Sequence, residues 1–305
     1  MSACQPKLNL CLLTWDPGAE GRSLHQFVSL VIERVRAAWA DGADLVLLPE
    51  LLWMGLEPLI PSLKPSALHA VATHMRDAVL PVLQRELAQE GKAVLLGSAP
   101  HLTESGTLRN RAHLLCEGRW LHQDKLQLTP WEHEMEAGQA IRLWHWRGWR
   151  VATLICLDIE VPELAASLRS EAVDLILCPS ATETELGVER VNRCASARAV
   201  ELACFVAVSA LTGAANSQLI DSNVGRCALY SPSQQAFAEG NRQIQGPLLS
   251  QGVACTTATL DHRRLDAMRS ATGETNPSRL QPHGQQPASR PAIHLEDCDA
   301  RHFRS

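Results

Sequence analysis

Apolar positions along the chain fall into two alternating rhythms. Residues 7–14, KLNLCLLT, make an apolar-rich run that predicts a strand. Leu24, Phe27, Val28, Val31, Ile32 and Val35 then recur at i, i+3, i+4 spacing, which predicts a helix, with Ser23 as N-cap and Gly42 as stop. LVLLP (45–49) is apolar at every position, as a strand covered on both faces must be. A helix over about 66–90 and a strand at 93–97 follow. AHLLC (112–116) and WLHQD (120–124) flank Glu117-Gly118-Arg119 and predict a hairpin. Further on, strands are predicted at 149–155, 174–180 and 204–210, with helices at 164–170 and 187–203 between them. Two more strands are expected near 226–231 and 252–260, then a short helix capped by Asp261.

Strands alternating with helices define an α/β layered domain. Neither a repeat nor an internal boundary is visible before residue 270, so residues 1–270 are expected to form one domain. From 271 the composition turns to Thr, Asn, Pro, Gln, His and Arg. Residues 271–305 are therefore expected to be a tail, disordered or packed on a partner subunit.

Composition narrows the partners. The chain is 46% hydrophobic and 20% charged, and its 28 basic and 33 acidic residues include no basic run, so neither nucleic acid nor an anionic membrane is expected as partner. No apolar run approaches the ~18 residues of a membrane span. The start lacks the features of a signal peptide, and a cytoplasmic location is expected. The ten cysteines (Cys4, Cys11, Cys116, Cys156, Cys178, Cys194, Cys204, Cys227, Cys255 and Cys298) stand singly, without C-x-x-C spacing. Apart from Cys156 they are expected to be buried free thiols. His133, between Glu132 and Glu134, lacks the spaced partners of a zinc site, and neither a metal nor an organic cofactor is expected. Serine-hydrolase elbow, P-loop and dinucleotide patterns are missing.

Three polar residues stand where strands end. Glu50 follows LVLLP, Lys125 follows the hairpin, and Cys156 follows ATLI. Strand carboxyl ends in α/β sheets gather at one rim, where sites form. A thiol needs a base to become a nucleophile, and a glutamate in reach supplies one. Attack on an amide or nitrile carbon develops negative charge, which a lysine and a backbone N–H, here that of Leu157, are suited to hold. Taken singly, each residue also fits a bland reading: a solvated loop glutamate, a surface lysine, a core thiol.

With those residues in view, the chain resembles the carbon–nitrogen hydrolase (nitrilase-like) superfamily. ADLVLLPELLWMG (43–55) is similar to its glutamate motif and NRAHLLCEGRWLHQDKLQLTPWE (110–132) to its lysine motif. VATLICLDIEVPELAASLRSEAVDLILCPSAT (151–182) is similar to its cysteine motif, and RVNRCASARAVELACFVAVSA (190–210) to the helix and strand beyond it. The resemblance implies a four-layer αββα sandwich, with Glu50 as base, Lys125 as stabiliser of the tetrahedral intermediate and Cys156 as the acylated nucleophile. It also implies a second glutamate, Glu132 or else Glu134, and a homodimer or higher homo-oligomer built on the 160–170 helix. Leu157 and Trp131 are candidate substrate contacts, the latter walling the pocket beside Glu132. Cys156-Leu157-Asp158 leans toward amides rather than nitriles, although Leu157 stands where the family more usually has tyrosine. Position 202 is Leu where an asparagine often occurs. A buried Asp158–Arg198 ion pair is expected to brace the site. The activity implied is hydrolysis of a small amide or ω-amide through a thioester. A nitrile hydrolase, an N-acyltransferase with the same residues, or a non-catalytic scaffold remain as alternatives, separated by product analysis and by the reactivity of Cys156.

Overall fold

A computed structural model describes residues 6–18, 23–215, 217, 219–238 and 243–270. The expectation for 271–305, and Cys4 and Cys298, lie outside them. Among the described residues, twelve strands form two six-stranded sheets. The first has the order β12(Ala254–Asp261), β1(Lys7–Thr14), β2(Leu45–Leu47), β3(Ala93–Leu102), β4(Leu108–Cys116), β5(Arg119–Asp124). The second runs β11(Gln243–Gln245), β10(Ala228–Tyr230), β9(Phe205–Ala210), β8(Leu175–Ser180), β7(Trp149–Thr153), β6(Leu143–Trp146). In each, three parallel strands (β1, β2, β3 and β7, β8, β9) are flanked by antiparallel ones.

Period-2 geometry sorts the side chains. In β1, Leu8, Leu10 and Leu12 pack with the second sheet, while Cys11 and Leu13 pack toward the helices. The helices on that outer face are α1(Leu24–Ala40), α2(Ala67–His74) and α3(Leu80–Leu87). On the other side α5(Glu185–Glu201) lies on β9 and β10. α4(Pro162–Leu168) follows β7, and α6(His262–Ser270) closes the described chain. The result is two mixed sheets flanked by helices, the αββα sandwich expected. A parallel bridge between Trp15 and Leu211, at the ends of β1 and β9, sets the carboxyl ends of both sheets' parallel strands at the same end.

Several elements follow their sequence signals closely. Ser23 caps α1 by accepting from the Gln26 N–H at 3.3 Å, and Asp261 accepts from the Arg263 N–H at 3.1 Å. Glu117 and Gly118 both have positive φ, 48° and 78°, so the β4–β5 hairpin closes in two residues rather than three. Arg147 and Gly148 (φ 53° and 84°) make the same kind of turn between β6 and β7. The helix expected over 66–90 is divided by a π turn at Met75–Val79, just before Pro81, which has no N–H for the helical ladder. The expected burial of the thiols fails for Cys255, which is exposed because β12 is an edge strand whose odd positions point outward, and is only partial for Cys194, which is half-buried on α5.

Candidate active site

Glu50 stands three residues beyond β2, and the backbone there is held tightly. Gly97, at φ 66°, marks a bulge in β3; a Cβ at this position would collide with the Pro49 carbonyl oxygen. One residue on, Ser98 Oγ accepts from the Leu51 N–H at 3.1 Å. Glycine and serine thus let the Pro49–Leu51 turn lie against β3 and direct the Glu50 carboxyl inward.

Lys125 continues β5, its N–H donating to the Asn110 carbonyl at 2.8 Å. Its buried Nζ donates to Glu50 Oε1 and to Glu132 Oε2, both at 2.7 Å. Burial alone would lower the lysine, but the two carboxylates outweigh it and hold the ammonium well above the usual lysine range. Asn110, on the inward face of β4, donates through Nδ2 to Glu50 Oε1 at 3.0 Å and to Glu132 Oε1 at 2.6 Å. Glu132 is fixed by its own turn: its Oε2 accepts from the Thr129 N–H at 2.9 Å and from the Thr129 hydroxyl at 3.0 Å. This is the reciprocal logic of a capping box, with Pro130 at the first helical position.

Cys156 opens a 3₁₀ turn (Cys156–Glu160) three residues beyond the end of β7, with φ 45°. A non-glycine residue in left-handed conformation is strained by about 1–3 kcal/mol, and such strain concentrates at functional positions. The Ser180 hydroxyl, at the end of β8, donates to Cys156 Sγ at 3.3 Å, and Sγ lies 3.5 Å from the Ala181 carbonyl. The Ala181 N–H donates to Glu50 Oε2 at 3.0 Å. Burial first, then the Glu50 charge, pushes the Cys156 thiol up to about 12, against Lys125, Ser180 and Ala181. Burial likewise raises Glu50 above its usual range, opposed by Lys125 and reinforced by Glu132.

Asp158 corrects one expectation. It does not pair with Arg198. Its carboxylate accepts from the backbone N–H groups of Leu126 (3.1 Å), Gln127 (2.7 Å) and Ile155 (3.0 Å). Arg198 bonds to Glu201 at 2.6 Å and to the Ile159 carbonyl at 3.2 Å. The physical reason is supply: the turns after β5 and β7 present three N–H groups that no strand satisfies, and Asp158 is the acceptor between them. Burial pushes this carboxyl up to about 7, against those three donors and Lys125.

Glu50, Lys125, Glu132 and Cys156 line one cavity of about 320 Å³. Leu157, half-buried, and Trp131, 64% exposed, line it too. Glu134 does not; it faces an adjoining cavity of about 730 Å³ whose wall shares Trp131 and Leu219 with the first. Of the two candidates for the second glutamate, Glu132 is therefore the one beside Lys125. Asn110, Thr129, Ser180 and the Ala181 N–H were not singled out from the sequence as site residues. Asn110 opens the lysine motif, but only the strand register places its amide between the two carboxylates.

A family model described as carbon–nitrogen hydrolase matches residues 16–269, so the chain belongs to the carbon–nitrogen hydrolase family. The probable hydrolase YhcX of Bacillus subtilis is 28% identical over 71% of this chain and 43% of its own length. The omega-amidase YafV of Escherichia coli K12 is 28% identical over 54% of this chain and 61% of its own. The chain thus spans less than two thirds of either relative. An amidase from Nesterenkonia sp. superposes with a TM-score of 0.66 at 20% identity, covering 88% of this chain and 96% of that one, a likeness of fold.

Proposed function

We propose that the protein hydrolyses a small non-peptide amide, in the manner of an amidase or ω-amidase, through a thioester on Cys156. The observation that carries this reading is the convergence of Glu50, Lys125 and Cys156, with Glu132 behind them, in one cavity. The leaning toward an amide rests on Cys156-Leu157-Asp158 and on the amidases among the relatives.

In this mechanism the thiol is neutral at rest and Glu50 takes its proton as Sγ bonds to the carbonyl carbon. An ammonium has three N–H groups, and the two carboxylates occupy two of those on Lys125. The third is left for the developing oxyanion. The Leu157 N–H, in the first turn of the 3₁₀ segment where backbone donors lack helical partners, is the second donor. Glu50 returns its proton to the departing nitrogen as the C–N bond breaks, releasing ammonia or an amine. Water then attacks the thioester, its proton passing to Glu50, and the acid leaves as the Cys156 thiol is restored. Glu132, whose oxygens are all engaged, positions Lys125.

The test is intact mass after brief incubation with a panel of small amides and nitriles, beside Cys156→Ala. A mass gain mapped to Cys156 in the wild type alone is expected, and the mass names the acyl group. Turnover retained in Cys156→Ala would sink the mechanism.

A further inference from the structure

Away from the cavity, two thiols meet across neighbouring strands. Cys11 of β1 and Cys255 of β12 have their Sγ atoms 2.8 Å apart. In the antiparallel register Cys11 faces Thr257 and Cys255 faces Leu13, so the thiols are diagonal neighbours on one face of the sheet. Cys11 is buried and Cys255 exposed. A cavity of about 380 Å³, lined by both cysteines with Ala38, Asp41 and Thr257, opens beside them.

We propose that Cys11 and Cys255 are a thiol–disulfide modification site whose reaction partner is a small soluble disulfide of the glutathione type. The exposed Cys255 thiolate attacks one sulfur of glutathione disulfide and expels one glutathione thiolate, leaving a mixed disulfide. Cys11 then loses its proton to solvent. Its sulfur attacks Cys255 Sγ and expels the second glutathione thiolate. The two protein thiols are oxidised by two electrons to one disulfide, and glutathione disulfide is reduced to two glutathiones. The order of attack follows from exposure: Cys255 is reachable from solvent and Cys11 is buried. The sulfur–sulfur contact, in which either thiol can donate, acts in the same sense, holding Cys255 below the usual thiol value and, with burial, Cys11 above it. An accessible thiol with a lowered value beside a resolving thiol is the arrangement that disulfide exchange needs. Cys227 is near enough to feel the charge of Cys255, and is the competing partner.

The test incubates the full chain with glutathione disulfide, quenches with N-ethylmaleimide, and reads intact mass and non-reducing peptide maps. The expected wild-type product has lost two hydrogens and carries a Cys11–Cys255 cross-linked peptide that dithiothreitol dissolves. Its melting temperature rises by several degrees, because the bond ties residues 244 apart in sequence. Cys11→Ala stops at a stable glutathione adduct on Cys255, and Cys255→Ser gives neither adduct nor cross-link at this pair. A cross-link from Cys255 to Cys227, Cys4 or Cys298 would overturn the proposal. So would a glutathione adduct that persists on wild-type Cys255, or no reaction there at all.

Discussion

Lys125 holds two carboxylates and, in the proposed mechanism, keeps its third donor for the oxyanion, so its removal acts twice. Lys125→Met is expected to lower kcat/KM by about 10²–10³ or more, from the lost donor. It also leaves Glu50 and Glu132 buried without their cation, which costs roughly 3–5 kcal/mol of stability; steady-state kinetics and thermal melting read the two effects separately. If Glu50 is the base proposed above, its carboxyl must be ionised to accept the thiol proton, and it is raised above its ordinary 4.5. Its protonated form therefore gains as pH falls through that raised value, and kcat/KM is expected to drop on the acid limb at a pH above the ordinary glutamate range. A pH–rate profile measures it, and a limb at or below 4.5 would contradict the assignment. Glu50, Lys125 and Cys156 were legible as candidates in the sequence because Glu50 and Cys156 each follow an apolar run and Lys125 follows the hairpin. Asn110, Thr129 and Ser180 were not. Their roles depend on which face of a strand or turn they occupy once two sheets meet, and nothing local marks an asparagine in a strand as a bridge between carboxylates.

At the scale of elements, the site depends on the segments just beyond strands. Asp158→Ala removes one side chain and leaves three backbone N–H groups without an acceptor, at about 1–3 kcal/mol for each buried group. A loss on the order of 3 kcal/mol or more is expected in chemical denaturation. Arg198→Ala, which leaves Asp158's partners untouched, should lose less. Gly97→Ala puts a methyl group where the Pro49 carbonyl lies and demands positive φ of alanine. It is expected to shift Glu50 and lower activity even where the fold survives, as circular dichroism beside kinetics would show. The long apolar runs were read correctly because burial on both faces leaves an unmistakable pattern. Two strands escaped, β6 and β11. β6, with its Trp144 and Trp146, reads as packing rather than alternation, and β11 is only three residues, Gln243–Gln245, two of them exposed.

For the whole molecule, the sandwich divides the machinery between its halves. Glu50, Lys125, Asn110 and Glu132 belong to the first sheet and its loops, while Cys156, Ser180 and Ala181 belong to the second. The Ala181 N–H to Glu50 bond crosses from one to the other. Loosening between the sheets thus separates Glu50 from Cys156, the proposed base and nucleophile, while each sheet keeps its backbone ladder. Activity is expected to fall at lower urea than far-UV circular dichroism does; coincident transitions would show that the sheets part only as they unfold. Alternating strands and helices read from the sequence specified an α/β layered domain. The doubling of the sheets came only through family resemblance, because hydrophobic period tells which face is buried and not what buries it.

The burial that keeps the Cys156 proton in place also governs what the protein ignores. Alkylating agents and peroxides act on thiolates, and a thiol pushed up to about 12 offers them almost none near neutrality. In the proposed mechanism Cys156 becomes a nucleophile only when a carbonyl compound enters the cavity and the proton moves to Glu50. Contrary to the expectation from the sequence, slow labelling by iodoacetamide therefore does not separate an idle scaffold from a guarded catalyst; product analysis does. Such a guard would let the protein keep its reactive sulfur intact in surroundings that oxidise ordinary surface thiols.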